Sequence, residues 1–312
     1  MKEINRIVPD SHKFLQRISV IDKPAKYLWF QGDLSENWSE RPIVAIVGSR
    51  KPTDYGRNVT LRLASGLAAH GVIIVSGLAI GHDSLAARGA LDGGGVTIGV
   101  VGNGLNNKYP RSTWTLREEI LEKGGAVISE YSPETPVSRW NFLERNRLIT
   151  ALSDIVIVVE AGEKSGTLNT AMHALNQGKE LMAVPGNITS PLSVGCNRLI
   201  ASGAGIVLGV DDVLEKLREI FSMRNGGSEV AKQITKSLRG DSNEKDPELL
   251  KPIAAGDTAG IRIMKLLTQG IIDGDELMNR AKLSIIEYNT TLTMLEINGR
   301  IRALGANRWT LR

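Results

Sequence analysis

Between Pro42 and Phe221 short aliphatic runs alternate with longer stretches of helical period. The runs are "IVAIVG", "VIIVSG", "TIGVVG", "AVISE", "IVIVVE", "ELMAVPG" and "GIVL"; between them lie segments such as "GRNVTLRLASGLAAHG" and "GTLNTAMHALNQG". Ile155 to Val159 is unbroken Ile and Val, the pattern of a strand buried on both faces of a parallel sheet. Strands separated by helices of this length require right-handed crossovers, so the pattern predicts an α/β fold with a doubly wound, mostly parallel sheet. Ligands of such sheets sit at the carboxyl ends of the strands. The residues just after each run are therefore the first candidates for chemistry.

The pattern changes at both ends. Residues 1–40 form an N-terminal extension whose apolar "KYLWFQGDL" is expected to add an edge strand to the main domain, residues 41–222. Residues 223–256 are rich in charge, Gly, Pro and Ser, lack aromatic residues, and read as a flexible linker. Residues 257–312 offer three amphipathic helical segments followed by "RALGANRWTLR", a hairpin signal, which together suit a small winged helix.

Composition narrows the class. With 312 residues, 42% hydrophobic and 23% charged, the chain can bury a sizeable core in more than one domain. It has no stretch approaching the roughly 20 apolar residues that span a bilayer, and "MKEINRIVPD" lacks the apolar core of a signal peptide, so a cytoplasmic location is expected. The single cysteine, Cys196, excludes an intrachain disulfide framework and a cysteine-rich zinc site. No cofactor or metal motif is present. A net charge of +4 is too mild to argue for a polyanionic partner by itself, so the placement of the arginines carries the argument.

Four strand ends offer anion donors. In "GSRKP" after the first run, Gly48 permits a sharp turn that can aim backbone N–H groups at an anion, Ser49 follows it, and Arg50 adds a planar fork suited to phosphate. In "SGLAIGHD", Gly77 permits close backbone approach, and His82 reads as a packed or surface residue rather than a catalyst because no nucleophile is assigned beside it. In "EAGEKSGTLNTA", Gly166 and Thr167 open a helix whose N-terminus favours negative charge, with Ser165 and Thr167 either helix caps or phosphate ligands. "PGNITSPLSVGCNRLI" is a polar loop ending in Asn197 and Arg198. In "SRWNFLERNR", Arg139, Trp140 and Phe142 combine a cation with aromatic rings, the pairing that single-stranded nucleic acid needs. Arg145 and Arg147 lie about 200° apart around a helix and cannot share a face. Arg145 is expected at the ligand edge and Arg147 in a structural ion pair.

In order along the chain, "GSRKPTDYG", "SGLAIGHD", "GNGLNNKYP", "SEY", "NFLERNRLITALSDIVIVVEA", "SGTLNTA", "AVPG" and "GCNRLIASGA" resemble the motifs of the DprA/Smf family of DNA-processing proteins. The resemblance implies an extended Rossmann-like domain that binds single-stranded DNA, forms a homodimer and loads the RecA recombinase during natural transformation, with no enzymatic activity. It also implies a C-terminal winged helix. Carried over by motif, Gly48, Ser49, Arg50, Ser165, Gly166 and Thr167 would line a phosphate pocket, Arg139 would stand for a basic residue three before the phenylalanine, Phe142 would stack a base, and Asn146 would fall with Arg147 in the shared "RNR". The chain departs from the family's "GID" and "AAH" by placing His82 after Gly81, and few residues precede "KYLWFQGDL", so the usual N-terminal helical domain is shortened.

Three other functions compete. A nucleotide-processing enzyme resembling phosphoribohydrolases would need a glutamate in its "PGGxGTxxE" loop, and the comparable "SGTLNTA" has none. An NAD-dependent dehydrogenase would need "GxGxxG" after the first strand, which "GSRKPT" does not supply. A duplex-reading winged helix would need a basic recognition segment, whereas "SIIEYNTTLTMLEINGR" holds two glutamates and one arginine. That module is expected to serve protein contacts instead.

Overall fold

A computed structural model describes residues 2–225, 258–297, 300–305 and 307–311. The chain divides into two compact units, Met1–Gly240 and Asp241–Arg312. The strands of the first unit are β1 (Asn5–Ile7), β2 (Leu28–Gly32), β3 (Ile43–Val47), β4 (Ile73–Ser76), β5 (Thr97–Val101), β6 (Ala126–Ser129), β7 (Ile155–Val158), β8 (Glu180–Ala183) and β9 (Gly205–Ile206). They form one sheet in the order β1-β2-β6-β5-β4-β3-β7-β8-β9. From β6 to β9 every pairing is parallel. Having built outward from β3 through β4, β5 and β6, the chain returns to the other side of β3 with β7, so the strand order reverses between β3 and β7. Crevices for ligands open at the carboxyl ends of strands at such a reversal.

Helices cover both faces: α1 (Gln16–Ser19), α2 (Asp54–Ala69), α3 (His82–Asp92), α4 (Trp114–Glu122), α5 (Arg139–Leu152), α6 (Thr167–Asn176), α7 (Val194–Ala201) and α8 (Val210–Asn225). Every residue of β3, β4, β5 and β7 is buried. One core packs Leu148, Leu152, Ala171, Ala174 and Cys196 of α5, α6 and α7 against one side of the strands; a second packs Leu63, Leu67, Ala86, Leu217 and Phe221 of α2, α3 and α8 against the other. Each Leu, Ile, Val or Phe side chain so buried contributes about 1.5–3 kcal/mol, which is why runs of Ile and Val specify the centre of the sheet.

The expected edge strand is β2, but it is not the edge. It pairs antiparallel with β6, Trp29 opposite Ser129, and is itself covered by β1, Arg6 opposite Trp29. The three residues of β1 are too few to show a period, so only tertiary pairing reveals them. The last run, "GIVL", contributes just the two residues of β9. At the other boundary α8 continues to Asn225, and the remainder of the expected linker, 226–256, lies outside the described residues.

In the second unit helices Thr258–Thr268, Gly274–Ala281 and Ile285–Ile297 precede an antiparallel hairpin of Ile301–Gly305 and Arg308–Leu311. Ile263, Leu277, Leu292, Leu295 and Ile301 form its core. Asp273 caps the second helix by accepting from the amides of Asp275 and Glu276. Three helices and a hairpin around one small core are the winged-helix architecture.

Candidate nucleic-acid interface

At the reversal between β3 and β7 lies an open cleft of about 650 Å³. The loop after β3 supplies Gly48, Ser49 and Arg50; the turn into α6 supplies Ser165, Gly166 and Thr167; and α5 supplies Arg139, Phe142, Arg145 and Asn146. A smaller slot of about 60 Å³ adjoins it, and Gly77 lines this slot with Arg50, Tyr109 and Phe142. The residues singled out from the sequence therefore converge on one rim, although they come from four separate segments of the chain.

The mouth of the cleft is aromatic and cationic. The Arg50 guanidinium carbon stands 5.5 Å from the centre of the Phe142 ring, and Tyr109 lies 5.7 Å from the same ring at a tilt of 34°. Tyr109 is exposed and Phe142 half-buried, so ring surface faces the opening. Trp140, one residue into α5, is 75% exposed and does not join the core. Tyr109 was not singled out by the sequence. Its one signal was its position in "GNGLNNKYP", the loop after β5 and hence another strand end.

The polar groups of the rim have different degrees of freedom. Ser165 Oγ accepts from the Thr167 amide at 3.2 Å, so this hydroxyl tightens the turn into α6, whose N-cap is Gly166, while keeping its own proton to donate. Asn146 Nδ2 donates to Asn169 Oδ1 at 3.1 Å, tying α5 to α6 across the cleft. Ser49 Oγ accepts from the Lys51 amide at 3.1 Å and tightens the turn that carries Arg50. Arg139 and Arg50 are exposed.

The two arginines of α5 part as the helix angle requires, and both are buried. Arg147 grips Glu130 through both terminal nitrogens, at 2.9 and 2.5 Å, and donates Nε to the Lys23 carbonyl at 3.0 Å; this is an ion pair of the structural kind. Arg145 forms the floor of the cleft, only 3% exposed. Its Nη1 donates to the Gly77 carbonyl at 2.7 Å and to the Val100 carbonyl, and it faces Asp83. Burial presses its pKa down to about 10, with Asp83 opposing the fall, so it remains a cation at neutral pH. Burial likewise raises the Asp83 carboxyl above its usual range, against the pull of Arg145. Close approach at this point demands glycine: a Cβ on Gly77 would sit 2.5 Å from both Arg145 Nη2 and Asp83 Oδ2.

Beneath the loop of Gly48–Arg50 runs a second buried network that sequence reasoning did not assemble. Glu160, just after β7, accepts from the Thr53 amide at 2.9 Å and from the Thr53 hydroxyl at 2.5 Å, and lies 3.0 Å from His82 Nε2. The opposite ring nitrogen meets Thr60 Oγ1 at 2.6 Å. With the Glu160 carboxylate accepting, Nε2 carries a proton, while the one hydroxyl proton of Thr60 is shared between His82 Nδ1 and the Gly56 carbonyl, 2.8 Å away. Burial holds the His82 pKa below its ordinary value despite Glu160, so the ring is neutral. His82 lies only 2.5 Å from where a Cβ on Gly48 would fall; it is a packed support of the loop, with no exposed surface.

A reversed α/β sheet whose rim gathers hydroxyls, a tilted pair of rings and exposed arginines, followed by a winged helix, is of the class that suits nucleic-acid handling. Residues 5–218 match the family described as DNA recombination-mediator protein A, and residues 247–307 match the DprA winged helix domain. The chain belongs to the DNA recombination-mediator protein A family. It is 39% identical over 216 residues to the DNA processing protein DprA of Bacillus subtilis, covering 69% of this chain and 72% of that one. It is 41% identical over 216 residues to the Protein Smf of Escherichia coli, covering 69% of this chain but only 57% of the relative. Among solved structures, DprA from Streptococcus pneumoniae superposes with a TM-score of 0.63 at 35% identity, over 68% of this chain and 74% of that one. DprA from Helicobacter pylori, whose structure was described for its single-stranded DNA binding mode, superposes with a TM-score of 0.62 at 31% identity, over 70% of this chain and 99% of that one.

Proposed function

We propose that this chain is a binding protein for single-stranded DNA that holds and protects a strand along the rim cleft and delivers it to the RecA recombinase during uptake and recombination of DNA in the cytoplasm. The observation that carries the reading is the cluster of Arg50, Phe142 and Tyr109 at the mouth of a cleft floored by Arg145. Unpaired bases present faces to such rings, while a duplex hides them in its stack. Gly48, Ser49, Ser165, Gly166 and Thr167 would meet the phosphates, with Arg50 and Arg139 as movable cations and Arg145 as a fixed source of field. Asn146 would hold the cleft's width, and Gly77 would admit a base into the slot beside Tyr109.

A nucleotide-processing role is less well supported. His82 and Glu160, the pair with acid–base chemistry, are buried beneath the loop and point into each other, and the turn into α6 continues from Gly166 through Thr170 without a glutamate. The relatives' names, which speak of DNA processing and recombination mediation, support the binding role. A homodimer through the first unit fits its open edge: β9 ends the sheet, and Met172 and Leu175 on α6, Ile206 in β9 and Leu208 just after it are exposed apolar residues. Light scattering of the full chain that returned a monomer's mass would count against that assembly.

Titrating labelled oligonucleotides of one length, single-stranded and duplex, tests the function. Affinity for single strands should exceed that for duplex and fall with added salt, by a log–log slope of about 0.7 for each phosphate neutralised. Equal affinity for the two forms would remove the role assigned to the rings.

A further inference from the structure

We propose that the strand's path does not end at α5: a basic and aromatic hollow on the far side of that helix is a second subsite for the same single strand. This rests on the single-strand reading of the main cleft. The hollow encloses about 460 Å³ and is lined by Arg6, Lys23, Lys26, Tyr27 and Trp29, with Glu130, Glu144 and Arg147 along its α5 side.

Its position follows from the sheet register. Trp29 pairs opposite Ser129, the last residue of β6, and Arg6 opposite Trp29. Since β6 runs parallel with β5, β4 and β3, its carboxyl end lies on the same rim as the main cleft. The two hollows share one wall: α5 gives Arg145 and Asn146 to the cleft and Glu144 and Arg147 to the hollow, so consecutive residues of one helix separate them.

Its chemistry repeats that of the main cleft. The Arg6 guanidinium carbon stands 4.9 Å from the centre of the Tyr27 ring and 5.7 Å from Trp29, as Arg50 stands over Phe142. Tyr27 is 47% exposed. Lys23 and Lys26 are exposed and form no ion pair among the described residues, while the carboxylate of Glu130 is held by both terminal nitrogens of Arg147. Among the described residues that line the hollow, Arg6, Lys23 and Lys26 are cations outside any ion pair, and Glu144 is the one carboxylate not held by Arg147. Arg147 also holds the Lys23 carbonyl through Nε, so the loop bearing the two lysines is fixed to α5 in place. Cations beside an exposed ring suit a phosphate and an unpaired base. A duplex or an acidic peptide would use the cations and leave the rings idle.

The test uses the full chain with Lys26→Ala and Tyr27→Ala together, both at exposed positions, and a length series of oligothymidylates. The shortest oligomers that bind should bind the double variant as they bind the wild type. Longer ones should lose about tenfold in affinity, the equivalent of one base stacked on an aromatic ring, and their salt slope should fall by about 0.7. Lys26→Glu alone should weaken only the longer oligomers. The inference is overturned by a wild-type length dependence in the variants, which would assign any gain with length to bridging between protomers. It is equally overturned by an equal loss at every length, or by the same loss on duplex, which would mark a general charge effect. If the wild-type protein binds no single strand at any length, the reading of the main cleft fails, and this subsite with it.

Discussion

Replacing Arg50 with alanine is expected to weaken single-strand binding about 10- to 100-fold while leaving the melting temperature almost unchanged. The side chain is exposed, stands over Phe142, and forms no ion pair among the described residues. A hydrogen bond from a charged group to a partner is worth about 1.5–3 kcal/mol, and each 1.4 kcal/mol is tenfold in affinity. Surface substitutions away from caps and networks usually change stability by less than about 0.5 kcal/mol. Titration against a labelled oligonucleotide and a thermal melt of the same sample separate the two effects. An Arg50→Ala protein that binds as the wild type would remove the cation from the site.

Arg145→Ala is expected to act in the opposite way, chiefly on stability. The wild-type side chain satisfies two strand-end carbonyls and favours the charged form of the buried Asp83 nearby. A buried acceptor left without its donor costs about 1–3 kcal/mol, and Asp83 loses the cation that favours its charge. The cost should depend on pH. Burial already raises the folded-state Asp83 pKa above the ordinary 3.8, and Arg145 opposes that rise; without the arginine it climbs further. A carboxyl whose folded pKa is raised takes up its proton more readily folded than unfolded, so folding gains stability as pH falls through the folded value towards the unfolded one. The deficit of Arg145→Ala relative to wild type should therefore shrink in acid, and Asp83→Asn in the variant background should recover part of it at neutral pH. Urea melts across pH decide this. A deficit constant with pH would show that the loss comes from the carbonyls and packing alone.

The two arginines also mark how far the sequence could be read. Helical geometry sufficed to place Arg145 and Arg147 on opposite sides of α5, one toward the cleft and one toward an ion pair. It could not reveal that the carbonyls of Gly77 and Val100, at the ends of β4 and β5, would draw the Arg145 guanidinium down into the floor. The central strands were legible because a fully buried strand needs continuous aliphatic residues, as in Ile155 to Val158. Neither β1, three residues with an arginine in the middle, nor the inward place of β2 had any such signature.

Contacts made across the sheet were hidden for the same reason. His82 and Glu160 are 78 residues apart and meet only because α3 and the end of β7 flank the same loop. Tyr109 reaches Phe142 because the loop after β5 folds over the end of α5. The glycine, serine and threonine blocks were readable because strand ends in this topology gather at one rim, whatever separates them along the chain.

The central claim is that a single strand lies in the rim cleft with its bases against Phe142 and Tyr109. Photo-cross-linking a halogenated-uracil oligonucleotide to the full chain, followed by peptide mapping, tests it directly. Cross-links should map to the peptides bearing Phe142 and Tyr109 and disappear when excess unlabelled single strand competes. Cross-links confined to the winged helix, with none on those two peptides, would contradict the account.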